Sequence, residues 1–230
     1  MKKIIVSSVI TVALLLTIPT ALAHQPRLTF TQDNTESILL TEIEQPDISK
    51  AYYGELKGKV DLYKFALETE QEFYFNILVP DIEGSTPNFS ASLTLDDKKI
   101  STLNGLNFEW TKFYEKFAGD DYLKGPEERI VLQPGKYLIE ISNPNDTGKY
   151  VLATGEIESF PLGESLRTLK ELPTLKSEFF GKSPVTMFFN VIGIFLGIMV
   201  LIIAGLAVGT TLLIRKLKKR RHLAKKKQLR

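Results

Sequence analysis

The stretch "VLQPGKYLIEISNPNDTGKYVLATG", residues 131–155, alternates between apolar and polar side chains on both sides of a polar turn. Tyr137, Ile139 and Ile141 fall on one side of an extended chain, and Lys136, Leu138 and Glu140 fall on the other. This period of two is typical of antiparallel strands with one buried and one solvated face. The segments "QPGK" and "NPNDTG" carry the residues of tight turns. The stretch therefore predicts three consecutive antiparallel strands.

The same period continues upstream in "DLYKFALE", "EFYFNILV" and "NFSASLTL", which are separated by turn segments such as "PDIEGSTP" and "LDDKK". Several short strands with such spacing predict a β-sandwich, which we place at residues 24–160. The chain has no cysteine, so the sandwich must be held by its core without disulfides.

The final hairpin, with its G-x-Y-x-L strand at residues 148–152, resembles that of the pre-peptidase C-terminal (PPC-like) domains of secreted bacterial proteins. "GKVDLYKFALE" resembles their opening strand, and the resemblance covers residues 58–156. It implies a mainly β, antiparallel jelly-roll-like sandwich that binds or assists rather than catalyses. It also implies that Gly148 permits a turn and that Tyr150 and Leu152 fill the core. The chain departs from the family between Asn104 and Arg129, where it carries an insertion.

The N-terminus has the three parts of a secretory signal: Lys2 and Lys3, an apolar run, and "ALA" at residues 21–23. We predict a signal peptide at residues 1–23, with His24 as the mature N-terminus. An uncleaved anchor helix is the alternative. The sandwich is then extracytoplasmic.

The C-terminal third predicts three further segments. "LGESLRTLKEL" places Leu162, Leu166 and Leu169 on one helical face, so residues 161–184 form a short juxtamembrane helix, an amphipathic connector. This connector lies on the membrane, packs on the sandwich, or serves as a stalk. Residues 183–214 carry no charge, which predicts one transmembrane helix at residues 185–214. Residues 215–230 hold ten Lys and Arg, which predicts a cytoplasmic tail of a single-pass cell-membrane protein.

The charges are divided along the chain. All 27 acidic residues lie between Asp33 and Glu178, so the predicted exterior is acidic and attracts cations and basic partners. The basic tail predicts contact with anionic lipid. Binding of nucleic acid is not expected of either part.

Catalytic residues are scarce, because His24 and His222 are the only histidines and are predicted to lie on opposite sides of the membrane. No histidine-based triad or zinc site can form within one chain, so we do not predict an enzyme. A carboxylate-based hydrolase remains the less favoured alternative. As metals, Cu²⁺ at His24 and Ca²⁺ at a polar turn formed by Asn143, Asn145 and Asp146 are considered.

The insertion "LNFEWTKFYEKFAGDDYLKGPE" is rich in aromatic residues and contains the only tryptophan. Long insertions in compact domains are often functional. We therefore predict an exposed ligand-binding patch, formed by Trp110, Tyr114, Asp120, Asp121 and Tyr122. A small satellite core beneath a long loop is the alternative.

Two G-x-x-x-G pairs in the apolar segment predict helix association and a homo-oligomer; they are Gly193 with Gly197 and Gly205 with Gly209. The sequence as a whole predicts a membrane-anchored binding module for a protein or glycan at the cell surface. A structural subunit that assembles through its transmembrane helix is the alternative.

Overall fold

The computed structural model describes residues 24–32, 38–116 and 118–228. The predicted signal peptide at residues 1–23 lies outside this part of the chain. Eleven strands are present in it: β1 Gln25–Leu28, β2 Leu40–Glu42, β3 Lys50–Lys57, β4 Asp61–Leu67, β5 Gln71–Pro80, β6 Ser90–Leu95, β7 Lys98–Leu103, β8 Thr111–Glu115, β9 Asp120–Leu132, β10 Gly135–Ser142 and β11 Thr147–Thr154. Two α-helices follow, α1 Leu162–Thr174 and α2 Val191–Gln228.

The strands form two sheets, as the alternating sequence predicts. The six-stranded sheet has the order β1-β3-β11-β5-β9-β8, and the five-stranded sheet has the order β2-β4-β10-β6-β7. Most neighbours are antiparallel, but β1 pairs with β3 and β2 pairs with β4 in parallel. These two short parallel edge strands are a departure from the purely antiparallel sandwich that the sequence predicts.

The main core lies between the sheets and is built from the inward side chains of both. Along β5 these are Phe73, Phe75, Ile77 and Val79, all essentially buried. Tyr150 and Leu152 of β11 are fully buried, and Gly148 has a φ of 105°. This confirms the roles that the PPC resemblance implies for these three residues.

A second apolar cluster lies on the outer face of the six-stranded sheet, where the connector packs. Helix α1 passes through Pro173 into a wider π-helical turn, Leu175–Phe179, so proline does not end it. Leu172, Leu175 and Phe179 are buried against the sheet, whereas Leu162 and Leu166 are exposed. The connector therefore packs on the sandwich, and of the predicted leucine face only Leu169 lies against the second cluster.

A buried ion pair holds the connector to the sheet. The Lys176 ammonium donates hydrogen bonds of 2.6 Å to Asp120 Oδ2 and 2.6 Å to the Ala118 carbonyl. Lys182 donates to the other carboxylate oxygen at 3.1 Å, and Asn190 donates to the Ala118 carbonyl at 2.6 Å. Because all these donors follow α1 in the chain, they fix the connector at the β8–β9 turn.

The predicted transmembrane helix at residues 185–214, and the fold class that includes it, are wrong. Residues Pro184–Phe188 form a 3-10 turn, and helix α2 begins only at Val191 and runs on into the basic segment as far as Gln228. Within residues 24–32, 38–116 and 118–228, no helix has the length and apolarity that crossing a membrane requires. The uncharged run is therefore divided between a turn and one end of a longer helix.

Candidate functional site

A groove of 360 Å³ lies on the outer face of the six-stranded sheet, beside the connector. It forms because alternate residues of the central strands point outward and those near the middle are small. Its floor consists of Ala51, Val151, Ala153 and Gly155, together with Asn76 and Leu78. Aromatic side chains and charged groups surround this floor, and they are Tyr53, Tyr74, Phe113, Glu115, Tyr122, Lys124, Glu127, Arg129, Glu156 and Glu158.

One wall of the groove is a hydrogen-bonded network centred on Tyr74. Its hydroxyl donates to Glu127 Oε2 at 2.6 Å, and Lys124 Nζ donates to Glu127 Oε1 at 3.0 Å. The hydrogen bond from Tyr74, with that from Lys124, lowers the pKa of Glu127. Burial is the main reason that the pKa of Tyr74 is raised, so its hydroxyl stays protonated as a donor.

Arg129 completes this wall. Its guanidinium donates two hydrogen bonds to Glu156, at 3.0 and 2.5 Å, and lies 4.7 Å from the centre of the Tyr74 ring. These hydrogen bonds to Glu156 raise the pKa of Arg129. The side chains of Arg129 and Glu156 are 51% and 46% exposed, so this pair shapes the rim of the wall but adds little to stability.

The floor contains a buried amide at an irregularity of the sheet. Asn76 and Leu78 of β5 pair with Glu127 and Lys124 of β9, which leaves Gly125 and Pro126 as a bulge. Asn76 is 2% exposed, and its Nδ2 lies 3.4 Å from each of the bulge carbonyls. The side-chain amide of Asn76 therefore bridges β5 to the bulge of β9.

His24 lies at one end of the groove, where its Nδ1 is 2.6 Å from Ser49 Oγ. Burial lowers the pKa of His24 to about 4, so the imidazole is neutral near pH 7. In the described ranges no three His, Cys, Asp or Glu residues stand close enough together to hold a metal ion. Copper binding at His24 stays a prediction.

The structure does not form the exposed patch predicted in the insertion. Tyr122 is 3% exposed, with its hydroxyl 3.1 Å from that of Tyr53, and Asp120 is buried in the ion pair with Lys176. Tyr114 and Asp121 are exposed. The insertion forms the β8–β9 hairpin. The turn of this hairpin is covered by the connector, which lies more than fifty residues further along the chain.

Trp110 has a structural role at the end of the main core. It is half-buried against the core and donates from Nε1 to the Gly105 carbonyl at 2.9 Å. A Cβ at Gly125 would lie 2.6 Å from its ring, so the bulge glycine makes room for the indole. The expectation that Trp110 is exposed is therefore wrong.

The predicted calcium turn uses its own polar groups. Asn143 Oδ1 accepts hydrogen bonds from the backbone amides of Asn145 and Thr147, each at 3.2 Å, and Asp146 Oδ1 accepts from the Asn143 amide at 3.4 Å. These bonds explain why the three residues occur together, since Asx side chains stabilise such turns. Calcium binding here stays a prediction.

The glycines of α2 differ in their surroundings. A Cβ at Gly193 would lie 1.8 Å from the Phe188 carbonyl oxygen, so this glycine is needed where the 3-10 turn meets the helix. Gly197, Gly205 and Gly209 have open space around them. Helix association through these residues, and contact of the basic segment with anionic lipid, stay predictions.

A second cavity, of 460 Å³, lies between α1 and the edge strands β1 and β2. Its lining includes Gln32 and Thr41, which border residues 33–37. Because those five residues lie outside the described ranges, the groove is the better-defined site.

The residues of the groove wall were missed by sequence reasoning. Tyr74 and Asn76 occupy the outward positions of "EFYFNILV", where the alternation predicts a solvated face. The one indication of a site in the sequence is that an aromatic residue and an amide, Tyr74 and Asn76, occupy consecutive outward positions. Nothing in the sequence indicates that Arg129 and Glu156, far apart along the chain, meet beside them.

No family model and no curated protein matches the chain. Similar solved structures include PliG of Aeromonas hydrophila, a periplasmic inhibitor of g-type lysozyme, with 14% identity and a TM-score of 0.36, covering 51% of this chain and 96% of that one. The pre-peptidase C-terminal domain of Bacillus anthracis collagenase has 13% identity and a TM-score of 0.33, covering 53% and 98%. A family 35 carbohydrate-binding module from an environmental isolate has 17% identity and a TM-score of 0.28, covering 44% and 70%.

At these identities and scores the likeness concerns the fold and carries no argument about function.

Proposed function

We propose that the protein is a non-catalytic, extracytoplasmic binding module that holds a surface protein or a glycan in the groove on its six-stranded sheet. The observation that carries the proposal is the groove itself. It combines an apolar floor with a wall of polar groups that are hydrogen-bonded to one another, which is the usual composition of a ligand site.

The pairing of charges in the wall supports binding rather than catalysis. Lys124 is paired with Glu127, and Arg129 with Glu156, so these charges stabilise each other. A general acid or base needs a pKa near the working pH. The pKa shifts in the wall move these groups further from neutral pH, because they lower the pKa of Glu127 and raise the pKa values of Arg129 and Tyr74.

The extracytoplasmic location is supported by the signal-like pattern of residues 1–23. N-terminal sequencing of the protein purified from its own cells should begin at His24. A sequence that begins at Met1 would contradict export by cleavage.

The binding proposal can be tested with a chemical block, because the chain has no cysteine of its own. Lys124→Cys places a thiol in the groove wall, and a bulky maleimide on it would obstruct the groove. Lys136→Cys is the matched control, since Lys136 is exposed on the outer face of the five-stranded sheet. We expect the labelled Lys124→Cys protein to lose the surface proteins or glycans that the labelled control retains. Equal retention by both would contradict the proposal.

A further inference from the structure

We propose that the cavity of 460 Å³ between α1 and the edge strands β1 and β2, here called the edge cavity, binds a small neutral ligand rich in hydroxyl groups, the class of the simple sugars. This site is separate from the groove, so it goes beyond the proposed function. Its volume is within the range of small-molecule sites. Its lining combines buried polar atoms that have no partner with charges that balance one another.

Two polar atoms of the lining residues are buried and make no hydrogen bond. They are the hydroxyl of Thr41, on β2, and the Oε2 atom of Glu171, on α1. The other carboxylate oxygen of Glu171 accepts from Arg167 Nε at 2.9 Å. Buried polar atoms without a partner destabilise the fold and are uncommon in native proteins. Two of them on opposite walls of one cavity indicate a place that a ligand completes.

Lys50 and Tyr52, both on β3, add buried donors to the lining. Lys50 is 3% exposed, and its ammonium donates to the backbone carbonyls of Glu44 and Gln45. A lysine ammonium has three donors, so one remains. Tyr52 is 2% exposed, and burial raises the pKa of its hydroxyl, which therefore stays protonated. The edge cavity thus presents donors to a ligand as well as acceptors.

The charges around the edge cavity are balanced. Two ion pairs border it, Arg167 with Glu171 at 2.9 Å and Arg27 with Glu164 at 3.0 Å. The remaining charged residues of the lining are two basic and two acidic ones, namely Lys50, Lys170, Glu42 and Glu44. Since neither sign dominates, the cavity does not favour a charged ligand.

These features together select the class of ligand. A carboxylate group has only acceptors, so it could not donate to Glu171 Oε2, and an ammonium group has only donors, so it could not accept from Lys50. A hydroxyl group donates and accepts, so several hydroxyls on one small molecule satisfy both kinds of lining atom. A charged ligand would also lose its hydration without gaining an opposite charge, which a neutral ligand avoids.

The test uses the full chain and free sugars as probes. Glucose, galactose and mannose are the neutral probes, and glucuronate and glucosamine carry one acid or one amine on the same kind of ring. Binding is measured by ligand-observed NMR titration, which detects weak complexes. We expect at least one neutral sugar to bind, and to bind about fivefold more tightly than either charged sugar, because burying a charge without a partner is unfavourable.

Two threonine variants show whether the edge cavity is responsible. Thr41→Val replaces the unpartnered hydroxyl with a methyl group on β2, and Thr102→Val makes the same change at an exposed position of β7, the opposite edge of the five-stranded sheet. We expect Thr41→Val to weaken sugar binding about fivefold, the loss of one hydrogen bond, and Thr102→Val to leave it unchanged. Thr41→Val should not lower the melting temperature of the ligand-free protein, because its hydroxyl has no partner there.

Several outcomes would overturn the edge-cavity site. If no neutral sugar binds, the cavity holds water only. Tighter binding of glucuronate or glucosamine would show that the class of ligand is wrong. Equal effects of the two threonine variants would place the sugar elsewhere, and a lower melting temperature of ligand-free Thr41→Val would show that the hydroxyl already has a partner.

The maleimide label on Lys124→Cys separates this site from the groove. If the label abolishes sugar binding, the sugar lies in the groove, so the edge-cavity site fails and the binding module stands. If the label leaves the retained surface material unchanged while sugar binding still depends on Thr41, the groove proposal fails and the edge-cavity site stands.

Discussion

At the scale of single residues, Trp110 has a different role in the structure from the one that the sequence predicts. Its spacing in an aromatic-rich insertion predicts exposure, but its indole packs on the core and donates to the Gly105 carbonyl. The glycines that admit it, Gly105 and Gly125, are not recognisable as its partners in the sequence, because the contacts depend on a bulge in β9. Trp110 is thus a stability determinant.

Trp110→Ala should lower the free energy of unfolding by about 3 kcal/mol, the cost of truncating a large aromatic in a core. Chemical denaturation of the purified protein measures this loss. Tyr114→Ala is the control, since Tyr114 is 52% exposed and its truncation should change stability by less than about 0.5 kcal/mol. Similar stabilities for both variants would show that the indole is not packed.

His24 makes stability depend on pH in a defined direction. Its pKa is lowered from 6.5 to about 4 by burial, so the native state favours the neutral imidazole. The unfolded chain binds the proton at higher pH, so this stabilisation is present above pH 6.5 and is lost as the pH falls towards 4. Between pH 7.5 and 4.5 we expect a loss of about 2 kcal/mol from this residue.

Urea unfolding at the two pH values measures this dependence. His24→Asn keeps a polar side chain but does not titrate, so its loss over the same range should be smaller than that of the wild type. The same loss in both proteins would contradict a buried neutral histidine.

At the scale of elements, the strands were predictable and their partners only partly so. Period-two alternation locates β4, β6 and β10, because each has one buried face. It also locates β5 and β11, although their outer faces are largely buried as well. The parallel pairing of β1 and β2 was not predictable, since these strands are too short to show a period. The groove could not be predicted, because its wall is formed by residues that are far apart along the chain. They lie on β5, on β9 and at Glu156, which follows β11.

The connector posed a related difficulty. Its buried residues Leu172, Leu175 and Phe179 lie at or beyond the end of the segment "LGESLRTLKEL", from which the helical face was predicted, and they continue through a π-helical turn. The ion pair between Lys176 of the connector and Asp120 could not be predicted either, because both residues have the sequence surroundings of ordinary surface charges. The connector is consequently an integral part of the sandwich.

Lys176→Met should destabilise the protein by about 3–5 kcal/mol, because it leaves the Asp120 carboxylate buried with less compensation. Adding Asp120→Leu should restore most of the loss, since an apolar pair of similar volume replaces the ions. Lys182→Met is the matched control. The Lys182 side chain is 33% exposed, so we expect a change below about 1 kcal/mol. Thermal unfolding of the four proteins would contradict the buried pair if Lys176→Met and Lys182→Met behaved alike.

At the scale of the whole molecule, a two-sheet sandwich carries a helical connector on one outer face, and the uncovered part of that face is the groove. The five-stranded sheet has no such cover in the described ranges, and its outward residues include Lys136 and Glu140. The two outer faces therefore differ in chemistry, and only one has the composition of a binding site.

The most direct test of this account is hydroxyl-radical footprinting of the full chain with and without its retained surface partner. Phe113 and Tyr114 are consecutive residues of β8 with similar exposure, but only Phe113 lines the groove. The account predicts that the partner protects Phe113 from oxidation and leaves Tyr114 as reactive as before. Protection of Tyr114 without Phe113, or of neither, would contradict the claim that the groove is where this protein binds.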